Sequence, residues 1–168
     1  MNLHSSRAPQ SKLKQIGELC SLVADTQHRG GIAVFANGCF DLVHVGHIRY
    51  LEGARALGDI LIVGINSDHS VRTLKGAGRP LQTESERAEI VASFECVDYV
   101  LVFEDATVDR ILLTLKPDIH AKGTDYTSES VPERATVHSY GGRVAIVGDA
   151  KAHSSRDMIA SILDRFRT

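Results

Sequence analysis

The stretch IAVFANGCFDLVHVGHIRYL, residues 32–51, joins an apolar strand to an amphipathic helix through a turn that decides the fold. A short run of β-branched and aromatic residues predicts the strand, and apolar residues at helical spacing from Ile48 onward predict the helix. A dinucleotide-binding protein carries a Gly-x-Gly-x-x-Gly pattern in this turn. Here the turn carries an aspartate and two histidines, His44 and His47. A dehydrogenase is therefore disfavoured.

Strand and helix patterns continue to alternate along the rest of the chain. Strands are predicted at residues 31–36, 59–65, 98–103, 118–121 and 143–147. Helical patterns lie between them, and a capping box of Thr83 and Glu86 opens one of these helices. Such alternation predicts an α/β fold with a Rossmann-like, doubly wound, five-stranded parallel sheet and helices on both faces. Residues 1–30 are predicted to form an N-terminal helical extension, and residues 31–168 the main domain.

Length, charge and cysteine content narrow the class of protein. The chain has 168 residues, of which 43% are hydrophobic, enough for a single core. Nineteen Lys and Arg against 21 Asp and Glu give a net charge of −2, so neither nucleic acid nor an anionic membrane is an expected partner. Three cysteines without paired spacing favour reduced thiols and a cytoplasmic location. No apolar run predicts a membrane span or a signal peptide, so a soluble protein is expected.

The polar residues of the predicted strands lie at their carboxyl ends, where parallel sheets bind ligands. His44 and His47 lie where the first strand gives way to a helix, among unpaired backbone N–H groups and the positive end of the helix dipole. This setting favours a phosphate site. Two alternatives are a zinc-binding pair, for which no further ligand has suitable spacing, and a structural pair that caps the helix.

The residues His44-Val45-Gly46-His47, with GCFDLVH leading into them, resemble the His-x-Gly-His nucleotidyltransferase superfamily. The resemblance covers about residues 33–163. The stretches LIVGINSD, LKGAGRPL and KPDIHAKGTDY, followed by Ser154-Ser155, are similar in order to the adenylyltransferase domain that makes ADP-heptose for lipopolysaccharide precursors. Relatives that use CTP often carry an arginine and a Gly-Ile-Ser-Thr-Thr run before the last helix, where this chain reads GDAKAHSSRDM.

The resemblance implies transfer of the AMP group of Mg²⁺-bound ATP to a sugar 1-phosphate, such as a heptose 1-phosphate, with release of pyrophosphate. Expected partners are therefore a nucleoside triphosphate, a sugar phosphate and a second copy of the chain in a homodimer. The alternatives are a cytidylyltransferase acting on glycerol phosphate or a similar small phosphate, and a nucleotide-binding module without catalysis.

Four residues are predicted to be catalytic. His44 and His47 would donate to the phosphate chain, with His47 at the α-phosphate. Lys75, in a predicted loop over residues 74–82, would contact the β- and γ-phosphates, its alternative being a solvated lysine. Arg87 shares the buried face of its predicted helix, which favours an anion partner, and the resemblance also implies a phosphate-binding arginine here. Its alternative is a side chain that runs along apolar surface to water.

Further residues are predicted to bind the two substrates. The expected nucleotide-binding set is Asn37, Gly38, Cys39, Phe40, Gly46, Lys122, Gly123, Ser154 and Ser155. The expected substrate-binding set is Asp41, Asp68, Arg79, Asp125 and Tyr126. Asp41 is expected to hold its loop or a magnesium-bound water, and an ordinary helix N-cap is the alternative for Ser154. No set of protein ligands for a metal is predicted.

Overall fold

A five-stranded parallel sheet forms the centre of the computed structural model, which describes residues 8–150 and 154–167. The strands are β1 (Ala33–Gly38), β2 (Ile60–Asn66), β3 (Tyr99–Phe103), β4 (Ile119–Gly123) and β5 (Arg143–Val147). They pair in the order β3-β2-β1-β4-β5, so the winding reverses between β1 and β4. The predicted fold class is confirmed.

Helices connect the strands and cover both faces of the sheet. They are α1 (Pro9–Lys12), α2 (Ile16–His28), α3 (Val45–Arg55), α4 (Asp68–Lys75), α5 (Glu84–Ala92), α6 (Asp109–Leu115), α7 (Arg134–Ser139) and α8 (Ser155–Arg165). The predicted capping box opens α5, where the backbone N–H of Thr83 donates to the Glu86 carboxylate at 2.8 Å. Over the described ranges, no helix combines the length and the apolar character needed to cross a lipid bilayer.

Alternate residues of β1 supply the two hydrophobic cores, because successive side chains of a strand point to opposite faces. Val34 packs in the first core with Leu51 of α3 and Val91 of α5. Phe35 packs in the second core with Leu19 of α2 and Leu112 of α6. Both faces of β1 are therefore buried.

The N-terminal helices pack into the same structure. Leu19 and Val23 of α2 are fully buried in the second core. The predicted helical extension is interrupted at Leu13, which forms an isolated parallel bridge with Val100 of β3. The helix begins at Ile16, after a capping box of Gln15 and Glu18.

Helix α4 was not predicted from the sequence. Ser67 caps it by accepting a hydrogen bond from the backbone N–H of Ser70 at 3.1 Å. It ends before Gly76, whose φ of 90° suits glycine. The predicted loop over residues 74–82 is therefore wrong at its start, because Lys75 is the last residue of a helix. Only Ser70 and Val71 of α4 are buried, which leaves too short an apolar pattern to detect.

The reversal of winding opens a crevice between β1 and β4. Pairing of β1 with β2 continues as far as Gly38 opposite Ile65. Pairing of β1 with β4 stops at Ala36 opposite Ala121. The strands diverge beyond that point, so Asn37 of β1 and Lys122 of β4 face each other across an opening at the carboxyl edge of the sheet.

Candidate active site

A cleft of about 1010 Å³ occupies this crevice. Its walls are the carboxyl ends of β1 and β4 and the first turns of α3 and α8. The predicted site residues that line it are Asn37, Gly38, Cys39, Phe40, Asp41, His44, Gly46, His47, Lys75, Arg79, Lys122, Gly123, Asp125, Tyr126, Ser154 and Ser155. Of the predicted set, only Asp68 and Arg87 lie outside the lining. The volume suits a nucleotide and leaves room for a small second substrate.

The two histidines lie at the start of α3 and stack on each other. Their ring centroids are 3.9 Å apart, with the planes inclined by 29°. The backbone N–H of His44 donates to Nδ1 of His47 at 3.3 Å, as part of a capping box that the two residues form together. Capping, the alternative weighed from the sequence, is therefore real, and both rings also line the cleft.

The contact between His44 and His47 fixes the tautomer of His47. Because Nδ1 accepts a hydrogen bond, the proton of the neutral ring is on Nε2, which is then a donor. Burial, together with the neighbouring His44 and Lys75, lowers the pKa of His47 to about 4. Without ligand, His47 is therefore a neutral donor at pH 7.

The lowered pKa of His47 predicts a stability that falls in acid. An unfolded histidine has a pKa of about 6.5, so between that value and about 4 the unfolded chain binds a proton that the folded chain does not. Above about pH 6.5 the lowered pKa of His47 therefore costs the folded chain no stability. By pH 5 the free energy of unfolding should have fallen by about 1 to 2 kcal/mol. Urea unfolding at pH 7 and pH 5 measures the loss, and His47→Gln should show a smaller one. An equal loss in both proteins would contradict the lowered pKa.

The loop between β1 and α3 holds a strained backbone. Phe40 and Leu42 have φ values of 50° and 56°, which bulky side chains rarely adopt. The buried carboxylate of Asp41 accepts hydrogen bonds from Arg79 Nε at 2.6 Å and from the backbone N–H groups of Leu81 and Gln82 at 3.0 and 3.2 Å. Asp41 thus anchors the loop, one of the two roles predicted for it, and its oxygens are already used by protein donors.

Arg87 is fully buried, and each of its three guanidinium nitrogens already donates to a partner within the protein. Its guanidinium donates to the carbonyl oxygens of Cys39, Asn66 and Gln82 at 2.6, 2.8 and 3.0 Å. It also pairs with Asp68 at 2.8 Å. The geometry therefore favours a positioning role over the predicted phosphate contact, and it makes Asp68 the partner of Arg87 rather than a lining residue.

Two lysines line the cleft, one exposed to solvent and one buried in an ion pair. Lys75 is exposed at the end of α4. Lys122 is buried, pairs with Glu133 at 3.4 Å, and places its ammonium nitrogen 5.0 Å from the ring centroid of Tyr126. Because Glu133 already balances the charge of Lys122, Lys75 is the better placed of the two to meet a polyphosphate.

Small residues and hydroxyls complete the rim. A Cβ atom added to Gly123 would meet open space, so this glycine leaves room for a ligand beside β4. Ser154 caps α8, with its hydroxyl accepting from the backbone N–H of Asp157 at 3.1 Å. Ser155 donates to the carbonyl oxygen of Asp41 at 2.5 Å and so ties α8 to the first loop. The N-cap alternative for Ser154 is thus observed at the edge of the cleft.

Several lining residues were not predicted. Arg49 pairs with Asp149 at 2.6 Å, and Thr124 donates to the Asp149 carbonyl oxygen at the same distance. Tyr50 also lines the cleft. It is three residues after His47, and this spacing, which places both side chains on one face of α3, could have identified Tyr50 as a lining residue. Arg49 and Thr124 carry no comparable signal, because their role depends on which loop lies opposite.

The side chains that could serve as metal ligands are not clustered in the described part of the chain. Across residues 8–150 and 154–167, no group of three or more His, Cys, Asp or Glu side chains is arranged to hold a metal ion. The zinc alternative for the histidine pair thus gains no third ligand from this part of the chain.

Comparison with known proteins identifies the family to which this site belongs. A family model described as cytidylyltransferase-like matches residues 35–161, most of the chain. The chain belongs to the cytidylyltransferase-like family. This family consists of nucleotidyltransferases, which confirms the enzyme class predicted from the His-x-Gly-His turn. The matched residues of this cytidylyltransferase-like domain include both walls of the cleft.

Curated relatives align with nearly the whole chain. The chain is 47% identical over 163 residues to the bifunctional protein HldE of Syntrophotalea carbinolica, and 49% identical over 156 residues to that of Pelobacter propionicus. These alignments cover 97% and 93% of the chain but only 33% and 32% of the relatives. The chain therefore spans about a third of the length of the curated relatives it matches.

A solved structure agrees with the fold of the cytidylyltransferase-like domain. The crystal structure of the lipopolysaccharide core biosynthesis protein from Thermoplasma volcanium superposes with a TM-score of 0.64 at 26% sequence identity. The match covers 73% of this chain and 100% of that protein.

Proposed function

We propose that this chain transfers the AMP group of ATP to a sugar 1-phosphate, most specifically a heptose 1-phosphate, and releases pyrophosphate. The observation that carries the proposal is the stacked pair His44 and His47 at the start of α3, facing a cleft where the sheet winding reverses. The preference for ATP and a heptose rests on similarity to HldE proteins across nearly the whole chain.

The proposed reaction requires hydrogen-bond donors to the phosphates rather than a general base. A phosphate monoester is largely dianionic at pH 7, so its oxygen can attack the α-phosphorus without losing a proton to the protein. The bond between that phosphorus and the bridging oxygen breaks, and pyrophosphate leaves. The Nε2–H of His47 and the backbone N–H groups of the first turn of α3 stabilise the charge that grows on the transferring phosphate.

Magnesium fits the site as a partner of the nucleotide. Mg²⁺ usually keeps several waters and takes few protein ligands, and Asp41, the buried lining carboxylate, is already bonded to protein donors. The triphosphate would thus bring the ion, which supplies charge neutralisation. The protein contributes the position of the phosphates through His44, His47 and Lys75.

Lys75 provides a test of the phosphate-binding side of this proposal. We expect Lys75→Ala to raise the KM for the triphosphate about tenfold or more, because a charge-assisted contact to the β- or γ-phosphate is lost. Arg72→Ala is the matched control, since Arg72 is exposed on the same helix and does not line the cleft. Steady-state kinetics measure both variants, and equal effects would contradict a specific role for Lys75.

Substrate choice is tested by pyrophosphate release. The purified chain is mixed with ATP, CTP or GTP and with heptose 1-phosphate, glycerol 3-phosphate or another small phosphate. We expect the pair of ATP and heptose 1-phosphate to be the fastest. A response to CTP alone would replace the proposal with a cytidylyltransferase, and binding of nucleotide without turnover would indicate a nucleotide-binding module.

Self-association is also part of the proposal. The apolar stripe of α8 is exposed, with 51% of Ile162, 58% of Leu163 and 77% of Phe166 accessible. A second copy of the chain would cover these side chains in a homodimer. Light scattering of the purified chain measures the mass, and a monomer at micromolar concentration would contradict a stable homodimer. Cytoplasmic location remains a prediction from the cysteine content.

A further inference from the structure

A histidine on β4 lies directly behind the cleft and has no role in the chemistry proposed above. His120 is fully buried, and its ring centroid is 5.9 Å from that of Phe35 on β1. Its Nε2 lies 3.0 Å from Oδ1 of Asn37, the residue at which β1 and β4 separate. His120 therefore reaches a lining residue from the core side of the sheet.

The hydrogen-bonding state of His120 follows from its surroundings. Burial, with a smaller contribution from the nearby Lys122, lowers its pKa to about 3, so the ring is neutral at pH 7. Its Nδ1 is buried without a hydrogen-bond partner among the described residues. A proton on Nδ1 would be an orphaned buried donor, a kind of group that proteins rarely contain. The proton is therefore on Nε2, which donates to Oδ1 of Asn37.

This donation orients the side-chain amide of Asn37. An amide whose oxygen points to His120 directs its N–H₂ group the opposite way, and Asn37 lines the cleft. No hydrogen bond from this N–H₂ group to another described residue is observed. Tyr50 steadies the same corner from the other side of the sheet, donating to the Ala121 carbonyl oxygen at 2.9 Å and approaching that of Asn37 at 3.5 Å.

We infer that His120 is a positioning residue: it holds the Asn37 amide so that its N–H₂ group donates to an oxygen of the bound nucleotide. The inference rests on the proposed nucleotide site and adds a residue that the cleft lining alone would not reveal. Reversal of the amide would present its oxygen to an anionic ligand, and the bond from His120 prevents that reversal.

The experiment compares two replacements of His120. His120→Phe keeps a ring of similar volume but removes the donor, and His120→Gln restores an N–H donor near the position of Nε2. Calorimetry with Mg²⁺ and a non-hydrolysable ATP analogue measures binding without any acceptor. We expect His120→Phe to weaken binding about tenfold, the effect of losing one well-placed hydrogen bond, and His120→Gln to recover most of it.

A double replacement separates positioning from a general loss of structure. If His120 acts through Asn37, then Asn37→Ala alone weakens binding, and adding His120→Phe to it changes binding no further. Additive losses, or wild-type affinity in His120→Phe, would overturn the inference. Failure of the unaltered chain to bind the analogue would instead refute the proposed nucleotide site, so the two failures are distinguishable.

Discussion

Replacing His47 with alanine should lower turnover on the order of 10²- to 10³-fold while the fold survives. The Nε2–H of His47 is preset as a donor by the hydrogen bond from the His44 backbone to Nδ1. Removing it takes away stabilisation that is greatest when charge grows on the transferring phosphate. Pyrophosphate release measures the effect, and circular dichroism checks the fold.

The matched control for His47 is the exposed His28 at the end of α2. We expect His28→Ala to turn over at the rate of the unaltered chain. The KM for ATP in His47→Ala should change less than kcat, because the contact strengthens in the transition state. Near-normal kcat in a folded His47→Ala would contradict the assigned role.

Replacing Arg87 with methionine should lower the free energy of unfolding by about 3 kcal/mol or more. Methionine fills much of the volume but leaves the carbonyl oxygens of Cys39, Asn66 and Gln82 without their donor. These carbonyls lie on the first loop, at the end of β2 and before α5. Urea unfolding measures the loss of stability. The same replacement should also loosen the three segments that Arg87 holds together beside the cleft.

Arg110 offers the contrasting case for Arg87. Its pair with Asp105 is on the surface, where 76% of the Arg110 side chain is accessible. Arg110→Met should therefore change stability by about 0.5 kcal/mol or less. If Arg87→Met kept full stability and lost only triphosphate binding, the direct phosphate contact predicted from the sequence would be right and the positioning role wrong.

The fold was predictable because its signals are local and repeated. Five apolar runs separated by helical patterns are typical of a parallel sheet covered by helices. The His-x-Gly-His turn indicates which loop lies where the winding of the sheet reverses. Helix α4 escaped prediction because an eight-residue helix that buries only Ser70 and Val71 has no detectable period. The exposure of the α8 stripe also could not be predicted, since spacing shows which residues share a face but not what covers it.

Sequence reasoning brings the strand-end residues to the cleft, but it does not reveal contacts whose partners are distant in the chain. A buried arginine on α5 suggested an anion, but its partners proved to be three carbonyl oxygens and Asp68, contributed by separate segments. His120 lies inside an apolar strand, and its contact with Asn37 depends on the pairing of β4 with β1. Spacing within one segment does not reveal such contacts.

The most direct test is a crystal structure of the chain with Mg²⁺ and a non-hydrolysable ATP analogue. We predict that ring nitrogens of both His44 and His47 lie about 2.7–3.1 Å from phosphate oxygens, with the α-phosphate at His47. A fully occupied analogue whose phosphates bind elsewhere, with both rings remote from every phosphate oxygen, would contradict the proposal.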